Sequence, residues 1–261
     1  MKMLQKICFV LLLSMFLSSG STTPRVYDGD YFEDKDINDG RVKSEQGESQ
    51  AQLNLGNSYY NGEVVLQDYK EAVKLYSLSA EQGHSNAQNN LAVMYFQGQG
   101  VLQDYKEAVK WWRKSAEQGD SSAQYNLGDM YREGQGIFQD YKESVKWYRL
   151  AAEQGNALAQ YNLAVMYENG QGVLQDYKES VKWYRLAAEQ EFSQAQFNLG
   201  LRYYYGEGVL QNYIMAHMYW NIAAVSGYKD AIHNRGIVEK KMTPSQVEES
   251  QKLAREWMRT H

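Results

Sequence analysis

Apolar and polar residues along the chain follow a pattern that repeats every 36 positions. An Ala-Gln pair marks the phase at residues 51, 87, 123, 159 and 195, and Ala231 keeps the same phase. Within each repeat, two stretches carry apolar residues at the three- and four-residue spacings of an amphipathic helix. A fixed period of this length predicts a solenoid, in which each repeat buries its apolar face on its neighbours.

The first helix of each repeat is predicted over positions 1 to 11, counted from the Ala, and a Gly at position 12 would end it. Position 6 is Gly or Ala in all five repeats, so we expect a neighbouring helix to approach closely there. In the third repeat the core face would comprise Ala123, Leu127, Gly128, Met130 and Tyr131.

Local signals set the limits of the second helix. In the first four repeats an Asp precedes it and a Glu follows three residues later, which is the spacing of a capping box, whereas the fifth has Asn212 and Met215 there. A Gly at position 33 would end it, but the fourth repeat has Glu191 there, so we expect strain or fraying at that point. In the third repeat its core face would comprise Tyr141, Ser144, Val145, Tyr148 and Ala152.

The loop between the two helices carries a G-x-G pair, whose glycines can take positive φ without steric cost. The first repeat has Val64 at the second of these positions, so we expect its loop to differ. Because the pair follows a helix rather than a strand and recurs in nearly every repeat, we interpret it as a turn and not as a nucleotide site.

The N-terminus predicts export. Lys2 and Lys6 precede an apolar stretch from Ile7 to Leu17, and small residues follow it. This pattern is typical of a secretory signal peptide over residues 1–20, cleaved after Gly20, and an uncleaved anchor is the alternative. The only cysteine, Cys8, lies in the apolar stretch, so the mature chain would carry no disulfide and no thiolate metal site.

The remaining chain divides around the repeats. Residues 21–50 form an acidic leader and a degenerate half-repeat, and residues 231–261 form a truncated repeat with a C-terminal capping helix. The segment Thr243-Pro244-Ser245-Gln246 predicts the start of that last helix. His217 replaces the Val of the other repeats, and we interpret it as a packed histidine. The five full repeats span 51–86, 87–122, 123–158, 159–194 and 195–230.

Charge and motifs exclude several classes of function. The formal net charge of -5 argues against nucleic acid and anionic membranes as partners. The four histidines lack the spacing of metal ligands, and no nucleophile or phosphate-binding motif is present. We therefore expect no cofactor, no bound metal and no catalysis, with a hydrolase built from acids of several repeats as a less favoured alternative. We also expect a monomer with no membrane span after signal cleavage.

The repeats share the pattern A-Q-x-N-L-G/A-x-M-Y-x-x-G-x-G-V-x-Q-D-Y-x-x-A/S-V-K-W-Y-R-x-A-A-E-Q-G. This pattern closely resembles the Sel-one-like repeat, a relative of the tetratricopeptide repeat, over about residues 44 to 241. The resemblance implies an all-α fold, a right-handed α/α superhelix whose first helices line the concave side. It also implies an adaptor role in multiprotein complexes. Secreted bacterial members are linked to the envelope and to host interaction, so we expect a periplasmic or secreted protein.

The helical wheel points positions 3, 7, 10 and 11 of the first helix away from the core, and the residues at positions 3, 7 and 10 vary among repeats. If the first helices line the concave side, these residues would form one groove for a protein or peptide partner. Burial by neighbouring repeats is the alternative. The candidate groove residues are Leu53, Asn57, Tyr60, Asn89, Val93, Phe96, Tyr125, Asp129, Arg132, Tyr161, Val165, Glu168, Phe197, Leu201 and Tyr204.

Position 4 is Asn in all five repeats, at residues 54, 90, 126, 162 and 198. The amides of Asn126 and Asn162 could bind the backbone of an extended peptide in the groove, or they could bond to an adjacent helix. The preferred function is a non-catalytic protein-interaction scaffold of the envelope or secreted space. The alternative is a glycan or peptidoglycan binder that stacks sugar rings on the groove tyrosines.

Overall fold

The computed structural model describes residues 37–261, which form thirteen α-helices and no strand. The predicted signal peptide, its cleavage point and most of the acidic leader therefore lie outside the described residues. In chain order the helices are α1 Ile37–Glu45, α2 Ser49–Asn61, α3 Tyr69–Glu81, α4 Ser85–Gln97, α5 Tyr105–Glu117, α6 Ser121–Glu133, α7 Tyr141–Glu153, α8 Ala157–Asn169, α9 Tyr177–Glu189, α10 Ser193–Tyr205, α11 Tyr213–Val225, α12 Lys229–Glu239 and α13 Pro244–Thr260.

The described residues divide into two compact units, of which the first ends at Trp111 and the second spans residues 112–261. In the first unit, α1 packs on α2, α2 on α3 and α3 on α4. In the second unit, each helix from α6 to α11 packs on the next, and α13 returns to pack on α11. Helix pairs of nearly constant length that contact their sequence neighbours confirm the all-α solenoid predicted from the period.

In the third repeat the predicted core faces are confirmed except at Tyr131 and Tyr141, which are only half-buried. Ala123, Leu127 and Met130 of α6 are at most 2% exposed, and Ser144, Val145, Tyr148 and Ala152 of α7 are also buried. Gly128 allows the close approach of a neighbouring helix that its small size predicts. A Cβ atom at Gly128 would lie 2.7 Å from the Tyr148 ring, so any larger residue there would displace the ring.

The loop glycines have the left-handed backbone that the G-x-G pair predicts, and Gly172 is required for two reasons. It has φ +71°, and a Cβ atom there would overlap the Tyr141 carbonyl at the start of α7. The expectation of a different loop in the first repeat is wrong, because Val64 takes the same conformation with φ 66°. Val64 is 45% exposed, so its side chain points to solvent.

The acidic caps form only half of the predicted capping box. In α7 the Asp140 carboxylate accepts from the backbone N–H groups of Lys142 and Glu143. The Asp140 N–H donates to the Tyr131 carbonyl, while Glu143 pairs with Lys146 instead of reaching back. The reciprocal box is complete at α13, where Thr243 and Gln246 bond each other's backbone as the sequence predicts.

The predicted strain in the fourth repeat is present at Glu191, which has φ 60°. The equivalent residues of the other four repeats are glycines with φ between 77° and 95°. A residue with a Cβ atom is disfavoured in this region, so Glu191 keeps the helix stop at a cost in conformational energy.

Candidate functional site

The predicted groove is closed in the first two repeats. Leu53, Asn57, Asn89 and Val93 are at most 2% exposed, so the prediction that they point away from the core is wrong. Because α2 packs on both α1 and α3, its buried arc is wider than the single face that a helical wheel assigns. Tyr60 and Phe96 are half-buried and pack on the tyrosines that start α3 and α5, at 5.5 and 5.4 Å between ring centroids.

The predicted residues of the later repeats remain partly accessible. Asn126 is the exception, since it is only 5% exposed. We call the half-buried set the first-helix face. It comprises Tyr125, Asp129, Arg132, Tyr161, Asn162, Val165, Glu168, Phe197, Leu201 and Tyr204.

The aromatic rings of the first-helix face are packed rather than free. The Tyr125 ring lies 5.9 Å from the Tyr148 ring. Tyr161 lies between Tyr184 and Phe192, at 5.8 and 5.1 Å. Burial raises the pKa of Tyr161 to about 12, so its hydroxyl stays protonated at any physiological pH.

Phe197 continues the same packing in the fifth repeat. Its ring lies 6.5 Å from the Trp220 ring and 5.0 Å from the Tyr228 ring. The three aromatics at position 3, at residues 125, 161 and 197, therefore present part of their rings to solvent and bury the rest against their own repeat.

A buried hydroxyl holds the charged pair of the third repeat. Tyr148 donates to the Asp129 carboxylate and accepts from Arg132 Nε at 3.0 Å. Arg132 also contacts Asp129 with 2.9 Å between Nη2 and Oδ1. Burial is the main reason that the pKa of Tyr148 lies well above its ordinary value, and the Asp129 charge raises it further. The side chains of Asp129 and Arg132 are still 26% and 32% exposed.

In the fourth repeat a buried tyrosine hydroxyl also contacts a carboxylate that is paired with an arginine, but the residues lie at different positions. Tyr184 donates to Glu168 Oε2 at 2.8 Å. Arg202 lies 3.4 Å from Glu168 Oε1 and 2.7 Å from Glu207 Oε2, and its side chain is 8% exposed. Arg202 was not among the residues predicted from the sequence. It could have been found there, because three of the other four repeats have Met at the same position.

The asparagines of position 4 link consecutive repeats. Asn162 Nδ2 donates to the Tyr148 hydroxyl at 3.3 Å, and Asn198 Nδ2 donates to the Tyr184 hydroxyl at 3.1 Å. In the first compact unit, Asn90 Nδ2 donates to Asn57 Oδ1 at 3.2 Å. These bonds are the structural alternative to peptide binding that the sequence left open.

Five exposed apolar side chains were not among the residues predicted from the sequence. One large apolar residue of each loop, at position 16, is about nine-tenths exposed. These are Leu66 at 92%, Leu102 at 89%, Phe138 at 94%, Leu174 at 91% and Leu210 at 90%. Phe138, Leu174 and Leu210, which belong to the second compact unit, form a second candidate contact surface that we call the loop surface.

Between residues 37 and 261, no group of three or more His, Cys, Asp or Glu side chains could hold a metal ion. Over the same range, every helix is too short or too polar to cross a membrane.

Comparison with known proteins identifies the class and then the family. Paired helices repeated every 36 residues define an all-α repeat scaffold, and the sequence model of the Sel1 repeat matches 49–84, 85–120, 121–156, 157–192 and 193–228. The chain therefore belongs to the Sel1 repeat family, whose members are protein-interaction scaffolds. Each matched stretch begins at the first residue of a first helix, two residues before the Ala used to count the repeats.

Two solved structures are similar over most of this chain. A Sel1 repeat protein from Oxalobacter formigenes shares 30% identity with a TM-score of 0.73, covering 85% of this chain and 90% of that one. A protective antigen of uropathogenic Escherichia coli with an SLR fold shares 32% identity with a TM-score of 0.61. That match covers 84% of this chain but only 56% of the antigen. No curated protein matches the chain.

Proposed function

We propose that this protein is an exported, non-catalytic scaffold that binds a segment of another protein along the first-helix face. The observation that carries the proposal is the pair of charged groups, Asp129 with Arg132 and Glu168 with Arg202, held in place by buried tyrosine hydroxyls. Side chains that are already fixed lose little entropy on binding, so they favour recognition of a polar or charged segment.

The packing of the aromatic rings supports a protein segment over the glycan alternative. A sugar ring stacks on an open aromatic face, but Tyr161 lies between two rings and Phe197 does so as well. What remains accessible is a mixture of partly exposed rings, an amide and charged groups, which is the composition of a protein contact surface.

Capture from a cell-envelope extract by the immobilised chain tests the binding site. The variant Arg132→Gln with Glu168→Gln removes one positive and one negative charge, and the new amide at position 168 can still accept from Tyr184. The matched control is Glu143→Gln with Lys146→Gln, an exposed pair on α7 that lies off the face. We expect a protein captured by the parent and the control to be lost by the first variant.

Equal capture by all three chains would contradict the assignment of the face. Phe138→Ser with Leu174→Ser would then test the loop surface. Capture that survives proteolysis of the extract, or binding to purified peptidoglycan, would favour the glycan alternative. Circular dichroism of each variant checks that the helices are retained.

Export rests on the basic and apolar pattern of residues 1–20. The intact mass of the chain recovered from the envelope fraction of a bacterium that expresses it tests this part. We expect a chain that begins at Ser21. A mass that retains Met1, or recovery from the cytoplasm alone, would contradict export.

A further inference from the structure

The last repeat departs from the pattern and opens a cleft between α11, α12 and α13. Position 5, a buried Leu in all five full repeats, is Arg235 in the truncated sixth. A second helix in phase with the earlier ones is missing here, and α13 packs across α11 instead. The cleft has a volume of about 360 Å³, within the range of small-ligand sites.

One wall of the cleft is fixed by a buried hydrogen-bond network. His217 is fully buried and contacts Ser250 Oγ at 2.7 Å and Glu239 Oε1 at 2.8 Å through its two ring nitrogens. Asn221 Nδ2 lies 3.0 Å from His217 Nδ1, and Asn221 Oδ1 accepts from Arg235 Nη1 at 3.1 Å. The Arg235 guanidinium is therefore held at the cleft surface, where 37% of its side chain is exposed.

A second guanidinium lines the same cleft from α13. Arg255 is exposed, and the amide of Gln251 lies one helical turn before it. Among the described residues no acidic side chain lines the cleft, and Glu239 Oε1 lies 3.8 Å from Arg235 Nε outside it. Two arginines in a cleft with no acidic lining residue favour an anion, and planar guanidinium groups match a carboxylate best.

The other walls are apolar and unusually exposed. Val225 is 72% exposed, Ile232 47% and Met258 39%. Together they surround the cleft that holds the two arginines. An exposed apolar cluster beside cationic groups fits a ligand that carries one apolar side chain next to a carboxylate.

We infer that this cleft binds the free C-terminal carboxylate of a protein whose last side chain is apolar. Arg235 and Arg255 take the carboxylate, the amides of Asn221 and Gln251 bond the peptide backbone, and the apolar walls take the last side chain. A long acyl chain would need an enclosed apolar channel, whereas this cleft is open and has polar groups in its walls. The inference rests on the proposed function, because it names an end of the protein partner.

Fluorescence anisotropy with two peptide pools tests the inference on the full chain. Both pools are fluorescein-labelled pentapeptides with four randomised positions and a final Leu, one with a free carboxylate and one with a terminal amide. We expect the acid pool to bind at least ~10-fold tighter and its affinity to fall as salt is added. The Nε–Hε NMR signals of Arg235 and Arg255 should shift with the acid pool alone.

Variants of the exposed arginine locate the effect. Arg255→Gln should abolish the preference for the acid, while Arg259→Gln, on the same helix but outside the cleft, should retain it. Equal binding of the two pools, failure of both to bind, or a preference that survives Arg255→Gln would overturn the inference. Arginine signals that shift with decanoate but not with the acid pool would also overturn it.

The two proposals can fail separately. Envelope-protein capture that depends on Arg132 and Glu168, together with no response to the acid pool, would remove the cleft inference and leave the proposed function. Binding of the acid pool with no capture at the first-helix face would remove the assigned binding face and leave the cleft as a binding site.

Discussion

The fourth and fifth repeats carry different aromatics at the same buried position, and their first helices differ to match. In the fourth repeat, Tyr184 places a hydroxyl that needs partners, and Glu168 and Asn198 supply them. In the fifth, the indole N–H of Trp220 donates to the Phe197 carbonyl at 3.1 Å. Position 10, which is Glu168 in the fourth repeat, is Tyr204 in the fifth, while position 7 is apolar in both.

The same correspondence holds in the other repeats. Tyr76 donates to Asn57 in the first repeat, and Tyr148 donates to Asp129 in the third. The second repeat combines Trp112 with Val93, as the fifth combines Trp220 with Leu201. Part of the variation at positions 7 and 10 therefore satisfies a buried aromatic of the same repeat, and only the exposed remainder is available to a partner.

A second difference separates the regular repeats from the last one. Val181 in α9 is an ordinary core residue, whereas His217 at the equivalent position in α11 anchors α12 and α13 by hydrogen bonds. A polar group in this place is suited to a terminal repeat, because its neighbours are not another copy of the same helix pair.

The largest effect is expected from His217→Val, which restores the residue of the regular repeats. It would leave the buried hydroxyl of Ser250 and the amide of Asn221 without their histidine partner. We expect a loss of about 3 kcal/mol in the free energy of unfolding, measured with urea. Amide hydrogen exchange should speed up across α13 while α7 keeps its protection, and uniform loss of protection would contradict the anchoring role.

Two substitutions at Asp129 test the match between the first helix and the buried aromatic. Asp129→Leu introduces the residue type of the fifth repeat beside Tyr148. Because it leaves the Tyr148 hydroxyl and Arg132 without the Asp129 carboxylate, we expect a loss of about 2 kcal/mol in the free energy of unfolding. Asp129→Asn introduces the acceptor found in the first repeat and should cost less than about 1 kcal/mol. Equal losses in urea unfolding would show that position 7 does not serve the tyrosine.

Glu191→Gly should relieve the strained stop of the fourth repeat. Glycine tolerates φ 60° without a Cβ clash, so we expect a gain of about 1 kcal/mol in stability. The reciprocal control is Gly155→Glu in the third repeat, which should lose a similar amount. A loss of stability on Glu191→Gly would show that the glutamate side chain contributes more than its backbone costs.

The smallest effect is expected at the N-cap of α6. Burial raises the pKa of Asp120, so its contribution to stability is full below the unfolded carboxyl pKa and decreases as pH rises through the folded value. Asp120→Asn keeps the cap, as Asn156 does in the fourth repeat, where its Oδ1 accepts from the Ala159 N–H at 3.0 Å. We expect the variant to be slightly more stable at about pH 7 and equal at about pH 3 in urea titrations; a constant difference would contradict the pKa shift.

Much of this protein follows from the sequence because the signals act over short distances. The 36-residue period, the two helices of each repeat and the stops at glycine depend on residues within a few positions of each other. The φ of Glu191 could be predicted for the same reason, since its four counterparts are glycines. Helix limits and strain are local properties of the backbone.

The tertiary structure decided which variable positions remain accessible. Leu53 and Asn89 are buried because packing of neighbouring helices widens the buried arc, which a single-helix wheel cannot represent. The partners of Asn162 and Arg202 lie 14 and 34 residues earlier in the chain, at Tyr148 and Glu168. Sequence spacing shows that such residues exist, but only the packing of one repeat on the next determines whether they satisfy each other or remain available to a partner.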